Sequence, residues 1–196
     1  MNKAERRELI IRHATTLFAE KGYYNVSVTD IIDECRIVRS TFYAHFRNKQ
    51  DIFRLLVDRF SDILQEAILG INISKADRRD DLVGAIREMS LALVDAIERN
   101  RDLTTILVTA PLGHDDDFDD KVNEFYAKIL GAIKLLLAEG MRDGTIARLD
   151  ADIISYAILG NIKQIVLQWI IYRDVPDIRT ALDDIVRFIL FGITRR

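Results

Sequence analysis

The chain has 196 residues, of which 49% are hydrophobic and 30% charged, and its formal net charge is −3. This composition is typical of a water-soluble globular protein with one sizeable domain, or with a small domain joined to a medium one. Two Pro and nine Gly are too few turn residues for an all-β fold, and a single Cys excludes an internal disulfide framework.

The charges are unevenly distributed along the chain. Residues 1–52 carry nine Lys and Arg against seven Asp and Glu, a formal charge of +2, whereas residues 53–196 carry 19 against 24, a charge of −5. A basic N-terminal end on an acidic body indicates a surface that binds a polyanion.

Two segments of the sequence indicate the expected cellular location of the protein. The N-terminus is charged and has no apolar core of about seven residues, so no signal peptide is expected. The most apolar stretch, 153–172, is interrupted by Asn161, Lys163, Gln164 and Gln168, which argues against a transmembrane span. We therefore expect a cytoplasmic protein without a membrane partner.

The first predicted helix runs from Glu5 to Lys21 and ends at Gly22, after a cationic last turn. A second, short helix is predicted to begin at Ser27, because Asp30 stands three residues on as in a capping box. The predicted turn is 36–37. A third short helix over about 38–45 and a fourth helix capped by Asn48 follow.

Longer helices are predicted after a connector at 70–77, since apolar residues recur there at three- and four-residue spacing. Their approximate ranges are 79–99, 101–110, 117–140, 151–172 and 177–193. No strand pattern is evident. The sequence therefore predicts an all-α chain of about nine helices, three short ones first and longer ones after.

The third helix separates two faces on a helical wheel. Val38, Phe42 and Phe46 fall on one side and are expected to be buried. The opposite side is small, hydroxylic and cationic: Arg39, Ser40, Thr41, Tyr43 and Ala44. Such a surface suits the major groove of DNA, where hydroxyl groups meet phosphates or base edges and an arginine can donate two hydrogen bonds to guanine.

The stretch HATTLFAEKGYYNVSVTDIIDECRIVRSTFYAHFRNKQDIF, residues 13–53, resembles the helix-turn-helix head of TetR-type transcriptional repressors. That family has Phe-x-x-x-Gly-aromatic at the end of its first helix, and Thr-[Leu/Phe]-Tyr-x-[His/Tyr]-Phe with a following Lys in its recognition helix. The matching residues are Phe18, Gly22, Tyr23, Ser27, Ile31, Thr41, Phe42, Tyr43, His45, Phe46 and Lys49.

The resemblance implies a DNA-binding domain at 4–64, with its helix-turn-helix at about 27–46, and a helical ligand-binding and dimerisation domain at 65–196. It implies phosphate contacts from Tyr43, His45 and Lys49. Ser27 and Thr29, at the start of the second helix, are further expected DNA contacts. Residues implied to face the bases are Arg39, Ser40 and Thr41, although Arg39 could instead bind a phosphate.

Three positions depart from the family pattern. The turn commonly reads Ala-Gly, where this chain has Cys35 and Arg36, and a non-glycine residue in a left-handed conformation costs about 1 kcal/mol. Val38 stands where a Ser or Thr usually caps the recognition helix. Ser40 replaces a frequent glycine and adds a hydroxyl group toward DNA. The operator sequence therefore cannot be inferred by analogy.

Two predicted helices near the C-terminus, 151–172 and 177–193, are apolar almost all round. Such helices have to be buried on all sides, and the simplest burial is against a second copy in a four-helix dimer interface. The expected interface residues are Ile158, Ile162, Ile165, Leu182, Ile185, Phe188 and Ile189. The alternative is that both helices are central core helices of a monomer.

The sequence therefore favours a homodimeric DNA-binding repressor that an unknown small ligand releases from its operator. By resemblance the ligand enters a cavity among the fourth to eighth helices, and apolar wall residues favour a hydrophobic or amphipathic effector. The candidate wall residues, which could also be plain core, are Met89, Leu93, Leu107, Phe125, Ile129, Ile165 and Trp169.

No catalytic, metal or cofactor site is expected, because the three histidines are scattered and no nucleophile-elbow, metalloprotease or phosphate-loop motif is present. We interpret the acidic run 114–120 as a helix start and Cys35 as a packing residue. An enzyme is therefore not favoured. The alternative function is a helical interaction or structural module, or a ligand carrier, without specific DNA binding. That alternative leaves the basic N-terminal end unexplained.

Overall fold

A computed structural model describes residues 2–70, 79–109 and 116–193, apart from the side chains of 79–83 and 190–193. The described part of the chain contains nine α-helices and no β-strand, which confirms the predicted all-α fold. The helices are α1 (Lys3–Lys21), α2 (Val28–Glu34), α3 (Arg39–Tyr43), α4 (Lys49–Leu69), α5 (Arg79–Arg99), α6 (Arg101–Val108), α7 (Asp116–Asp143), α8 (Ala151–Leu167) and α9 (Ile178–Ile193). Most of the predicted connector and the break before α7 lie outside the described residues.

Local capping sets where the N-terminal helices begin and end. Gly22 follows α1 with a φ of 81°, and its N–H donates to the Phe18 carbonyl at 3.0 Å. The Ser27 hydroxyl and the Asp30 carboxylate form the predicted reciprocal capping box at the start of α2. The Asn48 side chain accepts from the backbone N–H of Asp51 at 2.9 Å, which confirms the predicted cap of α4.

The chain divides into two compact units, 1–60 with 100–123 and 61–99 with 124–196. In the first unit α1 packs against α2 and α6, around buried side chains that include Ile10, Phe18 and Ile31. The segment 100–123, which the sequence assigned to the C-terminal domain, therefore belongs with the N-terminal helices in this division. The predicted domain boundary at 64 stays a prediction.

In the second unit α9 packs against α5 and α8. Ile178 and Leu182 on α9 are 1% and 4% exposed, and they form part of the core. Arg179 donates to carboxylates of Asp95 and Glu98 at 2.6 Å each, on the outside of the α5–α9 packing. Apolar burial on one face of α9 and exposed ion pairs beside it fix its position on α5.

α8 continues into a π-helical segment, Gln168–Tyr172. By length and composition alone, Ala151–Tyr172 is apolar enough to cross a membrane, with a mean hydropathy of 1.3 in its most apolar window. Core helices of soluble proteins pass the same test. The π segment ends at Arg173, which has a φ of 59°.

The turn between α2 and α3 closes α2 with a Schellman motif. The N–H of Ile37 donates to the Ile32 carbonyl at 3.2 Å and the N–H of Arg36 to the Asp33 carbonyl at 3.1 Å. Arg36 has a φ of 52°, so the left-handed conformation falls on an exposed arginine where glycine is preferred. The departure from Ala-Gly in this turn is therefore accommodated by backbone strain.

Arg36→Gly is expected to raise the free energy of unfolding by up to about 1 kcal/mol, because glycine adopts a positive φ without a steric penalty. Arg36→Ala is the matched control, since it removes the same exposed side chain and keeps the strain. Urea unfolding of the two variants checks this. Equal stabilities of Arg36→Gly and Arg36→Ala would show that the turn carries no strain.

Candidate nucleic-acid interface

The candidate recognition helix, α3, has only five residues and is held by two aromatic anchors. Phe42 is 0% exposed and Phe46, just beyond the helix, is 4% exposed. The Arg7 guanidinium of α1 lies 5.1 Å from the centroid of the Phe46 ring and covers it. The predicted burial of both phenylalanines is thus confirmed.

Val38 corrects the expected burial pattern, because it is 66% exposed. The wheel placed it beside Phe42 on the assumption that the helix begins at 38, but Val38 has an extended backbone with ψ of 153° and precedes the first helical residue. It occupies the N-cap position and makes no side-chain cap hydrogen bond. The start of α3 is therefore uncapped by a side chain.

The face of α3 opposite to Phe42 is exposed, as a surface that meets DNA must be. Arg39 and Ser40 are exposed, Tyr43 is 48% exposed and Thr41 is half-buried. The Arg39 guanidinium lies 5.9 Å from the centroid of the Tyr43 ring, so the cation and the phenol form one patch. This patch contains hydroxyl donors and one arginine fork within two turns of chain.

Ser27 and Thr29, at the start of α2, are also exposed. The Ser27 hydroxyl donates to the Asp30 carboxylate at 2.6 Å and accepts from the Asp30 backbone N–H at 3.1 Å. The hydrogen bonds that the Asp30 carboxylate accepts from the hydroxyl and the backbone N–H of Ser27 hold the pKa of Asp30 below its usual value. Thr29 is exposed, whereas the Ser27 hydroxyl already serves as a helix cap.

The ammonium group of Lys49, an expected phosphate contact, is hydrogen-bonded within the protein. Its Nζ donates to the carbonyl oxygens of Tyr23 and Val26, both at 2.8 Å, and to that of Tyr24 at 3.4 Å. It also lies 4.5 Å from the centroid of the Tyr23 ring. The donors of this cation are therefore directed at carbonyls of its own chain.

The N-terminal turn of α1 adds a basic cluster that the sequence argument missed. Lys3, Arg6 and Arg7 all act electrostatically on His45, the residue two positions after α3. Partial burial, and then these three cations, hold the pKa of His45 below its usual value. Their spacing on one helix face, at three and four residues, was visible in the sequence. What it could not show was that the fold brings that face to His45.

Cys35 and the start of α7 agree with their interpretations as structural features. Cys35 is buried, and burial raises the pKa of its thiol to about 11, so the reactive thiolate is disfavoured. α7 begins at Asp116, and Asp117 pairs with Arg54 at 2.9 Å. Among the described residues, no group of His, Cys, Asp and Glu is arranged to hold a metal ion.

The candidate ligand residues differ in burial and in unit. Leu107 is 2% exposed and belongs to the first unit, and the six others belong to the second. In the second unit Phe125 and Ile129 are buried, while Met89, Leu93, Ile165 and Trp169 are half-buried. A surface groove of about 590 Å³ in that unit is lined by other residues: Gln65, Leu69, Lys128, Gly131, Ala132, Lys134, Leu135, Ala138 and Ala151.

The candidate dimer residues also differ in burial within one chain. Leu182 is 4% exposed in a single chain, so it belongs to the protomer core and has little surface left to bury. Its place in a dimer interface stays a prediction. Phe188 is 68% exposed. The half-buried members of the set are Ile158, Ile162, Ile165, Ile185 and Ile189.

A short exposed helix, anchored by buried aromatics and preceded by a second helix and a tight turn, defines a helix-turn-helix DNA-binding protein. Residues 10–56 match the model of bacterial regulatory proteins of the TetR family. The N-terminal helices of the chain therefore match the DNA-binding head of TetR-family transcriptional regulators.

Known proteins resemble the chain over almost its whole length. It is 25% identical to the fatty acid metabolism regulator protein of Bacillus subtilis, over 94% of this chain and 93% of that one. It is 24% identical to the transcriptional regulator TtgR of Pseudomonas putida, over 96% and 90%. The structure of the fatty acid degradation regulator FadR from Bacillus halodurans has the same fold, with a TM-score of 0.78 and 20% identity over 100% of both chains.

The lowered pKa of His45 leads to a prediction of how DNA affinity depends on pH. Because its pKa is lowered in the free protein, His45 is neutral at pH 7, and a nearby DNA phosphate would raise that pKa again. DNA binding would then take up a proton, so affinity is expected to rise as the pH falls below 7. Fluorescence anisotropy with a labelled duplex at several pH values measures this.

His45→Gln is expected to remove that part of the pH dependence, whereas His13→Gln, on α1, is expected to keep it. If the wild-type protein and His45→Gln gain affinity equally on acidification, then His45 does not lie near a phosphate in the complex.

Proposed function

We propose that the protein is a homodimeric repressor that binds a near-palindromic operator and is released by a small hydrophobic or amphipathic ligand. The observation that carries this proposal is the exposed patch of Arg39, Ser40 and Tyr43 on a helix that Phe42 anchors in the core. The hydroxyl groups and the arginine of this patch suit the major groove. The protein would act on DNA in the cytoplasm.

We assign the DNA contacts by exposure and chemistry. Arg39, Ser40 and Thr41 would face the bases, with a phosphate as the alternative partner of Arg39. Tyr43 and His45 would contact phosphates, because His45 borders the basic turn of α1 and the exposed phenol of Tyr43 lies beside the Arg39 guanidinium. Ser27 and Thr29, at the exposed start of α2, would add contacts to the backbone of the same half-site.

Exposed apolar side chains on α8 and α9 support the dimer. In a single chain Ile153 is 62% exposed, Tyr156 55% and Phe188 68%. Large side chains of this kind on adjoining helices cost free energy in water, at about 25 cal/mol per Å² of apolar surface. A second copy that pairs α8 and α9 with their counterparts would cover them, and this is the occupant that an all-helical fold accommodates most simply.

The relatives support a ligand class. Two of the similar proteins are named as regulators of fatty acid metabolism or degradation. The six candidate wall residues of the second unit are apolar or aromatic, and such walls suit an acyl chain. Fatty acids of graded chain length are the first compounds for a thermal-shift screen, because a ligand of the folded state raises its unfolding temperature.

Selection from random DNA is the test of the function as a whole. An inverted repeat is expected, because two copies of α3 related by a two-fold axis would read two half-sites about 34–36 Å apart, or a multiple of that distance. Binding to the selected duplex should weaken steeply with salt. Recovery of no consensus, or of a consensus without a repeat, would contradict the proposal.

Phe188→Asp is expected to convert the dimer to a monomer, because it places a charge in the proposed interface at a site that is 68% exposed in one chain. Light scattering at micromolar concentration measures this, and circular dichroism checks that the variant is folded. Leu135→Asp is the matched control, since Leu135 on α7 is 60% exposed and outside the interface helices. A wild-type protein that is monomeric, or a Phe188→Asp variant that stays dimeric, would exclude this interface.

A further inference from the structure

The two ends of the helix-turn-helix are tied together by Lys49. The Tyr23, Tyr24 and Val26 carbonyls lie in the segment just before the Ser27 cap of α2, and Lys49 is the first residue of α4, after the recognition helix. Its ammonium group therefore binds a carbonyl 23 positions earlier in the chain and closes the segment 26–49 into a loop. The DNA contacts proposed for α2 and α3 lie within that segment.

An aromatic cluster in the first unit supports the Tyr23 side of this tie. The ring of Tyr23 stacks on that of Phe118, with centroids 4.7 Å apart and an interplanar angle of 26°. Phe118 also stacks on Phe53, with centroids 4.5 Å apart, and contacts Tyr24 at 5.1 Å. Phe118 is 1% exposed and belongs to the first turn of α7, more than 60 residues after the helix-turn-helix.

Two ion pairs flank Phe118 and bind the same turn of α7 to α4. Asp117 pairs with Arg54 at 2.9 Å, and Lys121 pairs with Asp58. The spacing of four residues on each helix places both pairs on facing sides. The side chain of Lys121 is 12% exposed and that of Asp58 is 46% exposed, so only the cation of this pair is shielded from solvent. The start of α7 is thereby fixed against the base of the DNA-binding head.

We propose that Lys49 and Phe118 are positioning residues for DNA recognition. Phe118 holds the Tyr23 segment in place through its ring contacts, and Lys49 holds that segment to the start of α4. Together they set the position of α3 relative to α2. Lys49 acts through the carbonyls that it binds.

The proposal separates three possible outcomes of losing Lys49. A lost phosphate contact weakens binding to every duplex and reduces the slope of log affinity against log salt by about 0.9 per contact. A loss of fold stability alone changes nothing once the protein is fully folded. A displaced recognition helix lowers affinity for the operator more than for a scrambled duplex, and the salt slope on the scrambled duplex stays unchanged.

The test compares two variants. Lys49→Met removes the ammonium group and keeps an unbranched apolar side chain, and Phe118→Leu removes the aromatic ring without changing the charge. Both are expected to lower the ratio of operator to scrambled-duplex affinity about tenfold, at a temperature where each is folded. The salt slope on scrambled DNA is expected to match that of the wild-type protein. Leu137→Ala, at a site on α7 that is 2% exposed and in the second unit, is the control for lost stability and is expected to keep the ratio.

Hydrogen exchange provides a readout that needs no DNA. Peptides covering residues 27–46 are expected to exchange faster in Lys49→Met and Phe118→Leu, and at the wild-type rate in Leu137→Ala. The affinity measurement rests on the proposed operator binding. If the wild-type protein shows no operator preference, the proposed function is contradicted, and the hydrogen-exchange result alone tests whether Lys49 and Phe118 position α3. Unchanged exchange in 27–46, or a Lys49→Met variant with equal losses on both duplexes and a shallower salt slope, would overturn the proposal.

Discussion

Burial of the Phe42 ring is the interaction on which the DNA-binding surface depends. A helix of five residues is far below the length of about 12–15 residues at which an isolated helix becomes marginally stable in water, so α3 cannot exist without tertiary contacts. Phe42 supplies them at 0% exposure, and Phe46 continues the anchor beyond the helix end. The exposed residues of α3 are therefore held in place by a side chain that is itself fully buried.

The local sequence around α3 opposes this arrangement at two points. Arg36 adopts a left-handed conformation that suits glycine, and Val38 occupies a cap position without a hydrogen bond to offer. Each costs about 1 kcal/mol. Since the helix-turn-helix nevertheless has a defined geometry, its contacts with α1, and those of Lys49 and Phe118 with the segment just before it, must exceed these costs. A head of this kind is stabilised from outside its own motif, and its independence as a domain is limited accordingly.

The sequence predicted the features of this fold that are set by neighbours along the chain. Gly22, Ser27 with Asp30, and Asn48 mark helix ends through hydrogen bonds spanning three or four residues. Prediction failed at one helix boundary and where the answer depended on distant contacts. Val38 was misplaced because the wheel extended α3 over residues that the structure keeps extended or in a turn. The carbonyl partners of Lys49 lie 23 to 26 residues away, and no local pattern reveals such a contact.

The small net charge of the N-terminal segment gives a reason why DNA binding would need two copies of the chain. Residues 1–52 have a formal charge of only +2 within a chain of −3, so one head can neutralise few phosphates and gains little non-specific attraction. Joining two such heads makes the second contact intramolecular, with an effective concentration set by the connection between them. Affinity would then depend on both heads meeting the duplex in register. A rigid placement of each α3 is what allows that, and the contacts of Lys49 and Phe118 with the Tyr23 segment provide it.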